Sequence, residues 1–312
     1  MKVKVAAIQA SPVYLDRDAT IEKAAGLAAQ AAEKGASLAV FPEAFVPTYP
    51  DWVWRLKPVD PLGDQLFGML AKESVVVPSP ATDALGRIAK DNGIFLVMGV
   101  NEREAERSGT LYNTMLYFGP DGALLGKHRK LMPSSPERMV WGFGDGSTLL
   151  QVHDTPFGRV GGLLCWENYM PLARAAIFAE GVDIYCAPTW DRGENWIATL
   201  RHIAREGRCF VIGVSIANRT SDVPESIERK DEIWPPDRWI HEGWSAIVAP
   251  SGELLAGPAV ECEEILVAEL DIDQVAMARA RFDVAGHYAR PDVLRLTVNT
   301  RANEPVEIEP DG

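Results

Sequence analysis

The sequence predicts an α/β protein built on mixed sheet, and three observations carry that prediction. Short apolar, β-rich runs alternate with longer helical segments along most of the chain. Two turn signals, Gly119-Pro120-Asp121-Gly122 and Pro250-Ser251-Gly252-Glu253, join neighbouring strand-like runs as hairpins, so antiparallel pairs accompany parallel ones. No stretch has the composition of a flexible linker, which favours one domain.

The elements follow in order. Val3–Ala10 reads as a first buried strand. Asp18 to Lys34 sets Ile21, Ala24, Ala25, Ala28, Ala31 and Ala32 at helical spacing, and Gly35 stops it. Leu38–Phe41 is a short buried strand ending at Pro42-Glu43. Thr82–Asn92 is helical and Gly93 ends it. Ile94–Val100 and Leu111–Phe118 are strands joined by a charged loop, and the Gly119 turn leads into Ala123–Lys127.

The second half repeats the rhythm. Val160–Leu164 is a strand, and Pro171–Glu180 is a helix with proline at its start. Asp183–Ala187, Phe210–Ala217, Ser245–Ala249, Leu254–Ala256 and Ile265–Leu270 are strands. Trp196–Glu206 and Asp273–Arg281 are helices. Ser221–Trp239 is polar, holds three prolines and reads as a surface loop. Residues 1–300 form the expected domain, and 301–312 an acidic tail.

Composition narrows the function. Of 312 residues, 47% are hydrophobic and 24% charged, which supports a sizeable core. Basic residues number 31 against 44 acidic, a net charge of −13. That balance argues against a general nucleic-acid binder and against a polybasic membrane anchor, and it favours neutral over anionic substrates. No run approaches a membrane span, and the first apolar run is too short for a signal-peptide core, so a cytoplasmic protein is expected. The four cysteines form no CxxC pair and no zinc spacing. Cys186 and Cys209 sit in apolar runs as small core residues.

Three segments carry candidate chemistry. A buried strand runs through Gly161-Gly162-Leu163-Leu164 into Cys165-Trp166-Glu167-Asn168, with a helix soon after. A nucleophile at such a strand-to-helix turn sits at the sheet end beside free backbone N–H groups; a buried structural cysteine fits the local context equally well. Phe41-Pro42-Glu43 sets a carboxylate at a strand end, where α/β sheets place ligands, or where a solvated acid opens a loop. Gly126-Lys127-His128-Arg129-Lys130-Leu131 concentrates cations in an acidic chain; a solvated basic face is the usual meaning of such a run.

Cysteine, glutamate and lysine make a coherent nucleophile, base and electrostatic stabiliser. A Cys–His pair competes, but none of His128, His153, His202, His241 and His287 has context that marks it as a base. Metal-binding and phosphate-loop motifs are absent. Tyr49, Trp52 and Trp54 follow Glu43, Trp166 follows Cys165, and Trp190 ends the next strand; they can line an apolar pocket or pack as ordinary core.

Together and in this order, these segments resemble the nitrilase branch of the carbon–nitrogen hydrolase superfamily, from about Val3 to about Val298. The family's glutamate matches Glu43, its lysine Lys130, its cysteine Cys165, and its second glutamate Glu137 in Pro133-Ser134-Ser135-Pro136-Glu137-Arg138. Cys165-Trp166-Glu167 is similar to true nitrilases, where amidases and carbamoylases of the superfamily usually carry tyrosine and aspartate after the cysteine. Gly286-His287-Tyr288-Ala289-Arg290-Pro291-Asp292 is similar to a nitrilase C-terminal segment, and Ser134 stands where threonine is commoner.

The resemblance implies a four-layer α-β-β-α sandwich with two mixed sheets, no metal and no cofactor. It implies hydrolysis of an organic nitrile, aromatic, arylalkyl or aliphatic, to a carboxylic acid and ammonia. A homodimer or larger homo-oligomer is implied too. Tyr49, Trp166 and Trp190 are the expected substrate-binding side chains. The alternatives are an amidase or carbamoylase with the same triad, or a non-catalytic binding protein on the same fold.

Overall fold

The computed structural model describes residues 1–105, 109–303 and 306, so most of the 301–312 tail lies outside the described residues. Its first sheet contains β1 (Lys2–Gln9), β2 (Leu38–Val40), β3 (Phe95–Arg103), β4 (Leu111–Phe118), β5 (Leu124–Arg129) and β13 (Glu264–Asp271), in the order β13-β1-β2-β3-β4-β5. The β1-β2-β3 centre is parallel and the outer pairs are antiparallel. The second sheet contains β6 (Val152–Thr155), β7 (Gly158–Gly162), β8 (Ile184–Thr189), β9 (Phe210–Ser215), β10 (Ala217–Arg219), β11 (Trp239–Val248) and β12 (Leu254–Val260). Its order is β10-β11-β9-β8-β7-β6, with β12 also on β11 and a parallel β7-β8-β9 centre. Both sheets are therefore mixed, as the hairpin turns predict.

Strand alternation explains the layering. Along β1, Val3, Val5 and Ala7 face one core and Ala6 and Ile8 face another. The first set packs between the sheets with Leu38, Val40, Ile184, Phe210, Ile212 and Ile247. The second packs against α1 (Arg17–Glu33) and α3 (Pro80–Asn92) through Ala24, Ala28, Leu85 and Ile88. On the far side, α4 (Pro171–Ala179) and α5 (Glu194–Gly207) cover the second sheet through Ile177, Trp196, Leu200 and Ile203. The order of layers is α-β-β-α. Strands buried on both faces must be apolar throughout, which is why they read as continuous runs. The last helix, α7 (Asp273–Arg281), has the predicted bounds.

Two segments depart from expectation. Helix α2 (Pro61–Glu73) is an additional element: Asp60 caps it, Pro61 occupies its first turn, and Leu62, Leu66 and Leu70 form its buried stripe. Residues 221–239 are not simply a surface loop. They hold a short helix, α6 (Lys230–Ile233), and bury Val223, Ile227, Ile233 and Trp234. The Trp234 indole N–H donates to Asp51 Oδ2 at 2.6 Å and anchors the segment over the first sheet's outer core.

Candidate active site

Glu43 follows β2 and Cys165 follows β7, so both lie beyond the carboxyl ends of parallel strands. Close backbone approach holds each one. A Cβ on Gly99 of β3 would collide with the backbone of Pro42, Glu43 and Ala44, and one on Gly162 would collide with the Cys186 carbonyl. Cys165 has φ 49° and opens a single 3₁₀ turn, Cys165–Tyr169, which is the sharp strand-to-turn geometry expected of a presented thiol.

Lys130 lies just past β5 and is fully buried. Its ammonium donates to Glu43 Oε1 and to Glu137 Oε2, both at 2.8 Å. Glu43 Oε1 also accepts from Asn113 Nδ2 at 2.6 Å, while Glu43 Oε2 has no partner among the described residues. Glu137 Oε2 accepts from the Ser134 backbone N–H at 2.6 Å, and its Oε1 accepts from the Tyr49 hydroxyl at 2.5 Å. A carboxylate oxygen from each glutamate and the Cys165 sulfur lie within 4.8 Å of one another.

That trio has the donor types of a metal site, but Lys130 already supplies the cation between its carboxylates. A second cation would face an ammonium 2.8 Å from the same oxygens. The donor set does not fit a resident metal.

The electrostatics follow from one buried cation facing three acids. Burial pushes the Cys165 thiol well up, Glu43 adds to this, and Lys130 only partly offsets it. Burial also raises Glu43 against the opposing pull of Lys130. Burial would lower Lys130, but Cys165, Glu43 and Glu137 hold it well above the usual lysine value. Burial thus favours the protonated thiol of Cys165, beside a Glu43 carboxyl whose Oε2 has no partner among the described residues. The carboxylate lies close enough to the thiol to take the proton that attack must move.

The site opens into a cavity of about 440 Å³. Cys165, Glu137, Tyr49, Trp54, Trp166, Trp190 and Ile240 line it, together with Ser134, Asp51, Arg55, Asp191 and Arg192. Tyr49 stacks flat on Trp190 at 4.0 Å, and Trp54 Nε1 donates to the Tyr49 hydroxyl at 3.1 Å. Trp166 is half exposed and donates to Asp191 Oδ2. The wall combines aromatic side chains with the charged Asp51, Arg55, Asp191 and Arg192, so the pocket is less apolar than the aromatic residues alone suggest. Trp52 is core. A larger outer groove of about 670 Å³ between α1 and α3 is not lined by any of the predicted site residues.

All seven predicted site residues meet at this place: Glu43, Lys130 and Glu137 around Cys165, and Tyr49, Trp166 and Trp190 on the cavity wall. The basic run is not a solvated face, since Lys130 and His128 are buried. Residue-by-residue reading missed Asn113, His128 and Glu167. A polar residue inside an apolar strand marks Asn113, but His128 and Glu167 gain meaning only from each other.

A carbon–nitrogen hydrolase family model matches residues 4–280. This chain belongs to the carbon–nitrogen hydrolase family. It is 48% identical to an aliphatic nitrilase of Sinorhizobium fredii, over 96% of each chain. It is 43% identical to nitrilase 2 of Arabidopsis thaliana, covering 97% of this chain and 91% of that one. A bifunctional nitrilase/nitrile hydratase of Lupinus angustifolius is 44% identical, over 97% of this chain and 88% of its own. The crystal structure of Saccharomyces cerevisiae Nit3, a member of branch 10 of the nitrilase superfamily, superposes with a TM-score of 0.73 at 24% identity, covering 92% and 96% of the two chains. That likeness carries the fold; the sequence relatives carry the nitrilase branch.

Proposed function

We propose that this protein is a nitrilase that converts an organic nitrile and two waters to a carboxylic acid and ammonia. The observation that carries the reading is the buried cluster of Lys130, Glu137, the Cys165 sulfur and Glu43, whose Oε2 has no partner among the described residues. The kinship to nitrilases selects the substrate class.

Cys165 sulfur adds to the nitrile carbon while Glu43 takes the thiol proton and passes it to the nitrogen, leaving a thioimidate. Water adds to give a tetrahedral intermediate. Cleavage of its C–N bond releases ammonia and leaves a thioester, and a second water releases the acid and restores the thiol. Lys130 stabilises negative charge on the former nitrile nitrogen and then on oxygen. One such donor is worth roughly 3–4 kcal/mol of barrier. Glu137, fixed by Ser134 N–H and Tyr49, holds Lys130 in place. If the C–S bond of the tetrahedral intermediate breaks first, the product is amide, so some amide accompanies the acid.

Tyr49, Trp166 and Trp190 shape substrate preference, and the aromatic wall accommodates aryl, arylalkyl or aliphatic nitriles. Residues 1–300 act as one catalytic domain in the cytoplasm. Leu172 and Leu294, 69% and 77% exposed, are apolar surface that a homo-oligomer would cover. Among the described residues no helix is long and apolar enough to cross a membrane.

The test is ammonia and product analysis on aromatic, arylacetic and aliphatic nitriles beside the corresponding amides, with Cys165→Ala as control. Cysteine-dependent release of acid from nitriles is expected. Turnover of amides alone would move the protein to the amidase branch and overturn the reading.

A further inference from the structure

Nothing in the proposed chemistry uses His128 or Glu167, yet both side chains are wholly buried, and a buried charge is retained only where its hydrogen bonds are complete. Glu167 lies two residues after Cys165 and His128 two residues before Lys130. Glu167 Oε2 accepts from the Leu164 N–H at 2.8 Å, the residue before the thiol. Its Oε1 accepts from the Leu131 N–H at 2.7 Å, the residue after the lysine. One carboxylate thus ties the backbone that presents Cys165 to the backbone that presents Lys130.

His128 completes the tie. Its Nε2 lies 2.9 and 3.2 Å from the two Glu167 oxygens, and its Nδ1 lies 2.9 Å from the Thr148 carbonyl. A carboxylate and a carbonyl are both acceptors, so both ring nitrogens must carry protons, and the ring is an imidazolium. Among the groups packed here, Tyr117 and Tyr185 face Glu167 and stay neutral, because burial and the carboxylate push both hydroxyls up. Among the described residues the imidazolium is the cation in direct contact with Glu167, and the buried Arg174 guanidinium lies one residue along, on the Asn168 carbonyl at 2.6 Å.

We propose that His128 and Glu167 are positioning residues, a buried imidazolium–carboxylate clamp that fixes the distance between the Cys165 sulfur and the Lys130 ammonium. The inference rests on the reading of Cys165 as nucleophile. The clamp touches no substrate. It acts because a stabilising cation helps only at the spot where charge develops, and a misplacement near 1 Å can cost about a hundredfold in rate. It also orients the backbone N–H groups of the Cys165 turn, which Asn168 reinforces through its bonds to the Leu163 and Cys165 carbonyls at 3.1 and 2.8 Å.

Two measurements test the clamp on the full chain. Nitrogen-15 NMR of labelled wild-type protein, with the His128 signals identified by their loss in His128→Gln, should show both ring nitrogens protonated at pH 7.5. A neutral His128 ring there would overturn the charged clamp. Glu167→Gln and His128→Gln should lower kcat about tenfold to a hundredfold, leave KM within about threefold, and slow alkylation of Cys165 by iodoacetamide in parallel. Glu167→Asp, which keeps the charge but is too short to reach both N–H groups, should fall between. A folded Glu167→Gln with wild-type kcat and alkylation rate would overturn positioning. Should that variant fail to fold, the NMR and His128→Gln decide. The NMR and alkylation need no nitrile, so they separate failure of the clamp from failure of the nitrilase reading.

Discussion

Glu102 and the Glu43–Glu137 pair both bury carboxylate, and both take their cations from one run, Lys127 to Lys130. Around Glu102, Lys127 Nζ and Arg129 Nη2 each approach Oε1 at 2.5 Å, Arg129 Nε reaches Oε2 at 3.0 Å, and Thr114 donates to Oε2 at 2.8 Å. Glu102 faces two cations, one of which, Arg129, also pairs with Glu104 at 3.2 Å; although burial raises the Glu102 pKa, Arg129 and Lys127 outweigh it and hold it below the usual range. There acids and cations balance, whereas the cluster around Lys130 sets two carboxylates and a thiol against one ammonium. The first site has its charge and hydrogen bonds satisfied and can only stabilise. The second retains an empty oxygen on Glu43 and a thiol proton with somewhere to go. Burying ions does not make a site reactive; an acid in excess of the cations does.

The largest expected effect lies on the reactive side of that contrast. Cys165→Ala should cut nitrile turnover by at least about a thousandfold with little change in melting temperature, and residual cysteine-independent hydrolysis would break the assignment. Glu43→Gln keeps the shape and the Asn113 contact but removes the base. It should cost about 10²–10⁴ in kcat, and a smaller loss would mean the proton leaves by another route.

Raised Glu43 also fixes a sign. The base works only when ionised, so kcat/KM should fall as pH drops through a value above the roughly 4.3 of free glutamate. A pH profile flat down to that value would contradict the shift. For Glu102 the direction reverses: its folded pKa is lowered, so its stabilisation is present above the unfolded value and lost as pH falls through the folded one. Glu102→Gln should lower stability at neutral pH by about 1–3 kcal/mol, flatten the acid limb of the melting-temperature curve, and leave kcat per folded molecule within about twofold. A large kcat loss in a folded Glu102→Gln protein would collapse the distinction between the clusters. At the small end, Lys127 is a quarter exposed, and Lys127→Gln should cost about 0.2–1 kcal/mol in chemical denaturation.

The division of the basic run shows what a strand does that spacing cannot announce. Side chains alternate across the pleat, so Lys127 and Arg129 go to Glu102 while His128 and Lys130 go to Glu167 and to the Glu43–Glu137 pair. As a string, the run reads as a solvated patch, and nothing in it marks Lys130 apart from Arg129.

Much was available from the sequence alone. Periodicity and turn chemistry set the alternation of strands and helices, the mixed pairing and the bounds of β4 and α7, because these depend on local backbone preference and on which faces must be apolar. The order of the glutamate, lysine and cysteine segments identified the family and, through it, the four layers and the proposed chemistry. Helix α2 was also written in its cap and leucine spacing, though less loudly. Tertiary structure decided the rest. It set the free oxygen on Glu43, the charged side chains in the cavity wall, the burial of Trp234 within a polar segment, and the pairing of His128 with Glu167 across 39 residues. These are properties of groups brought together from different strands. Their charge states and hydrogen bonds exist only once the sheets have closed and water has been excluded.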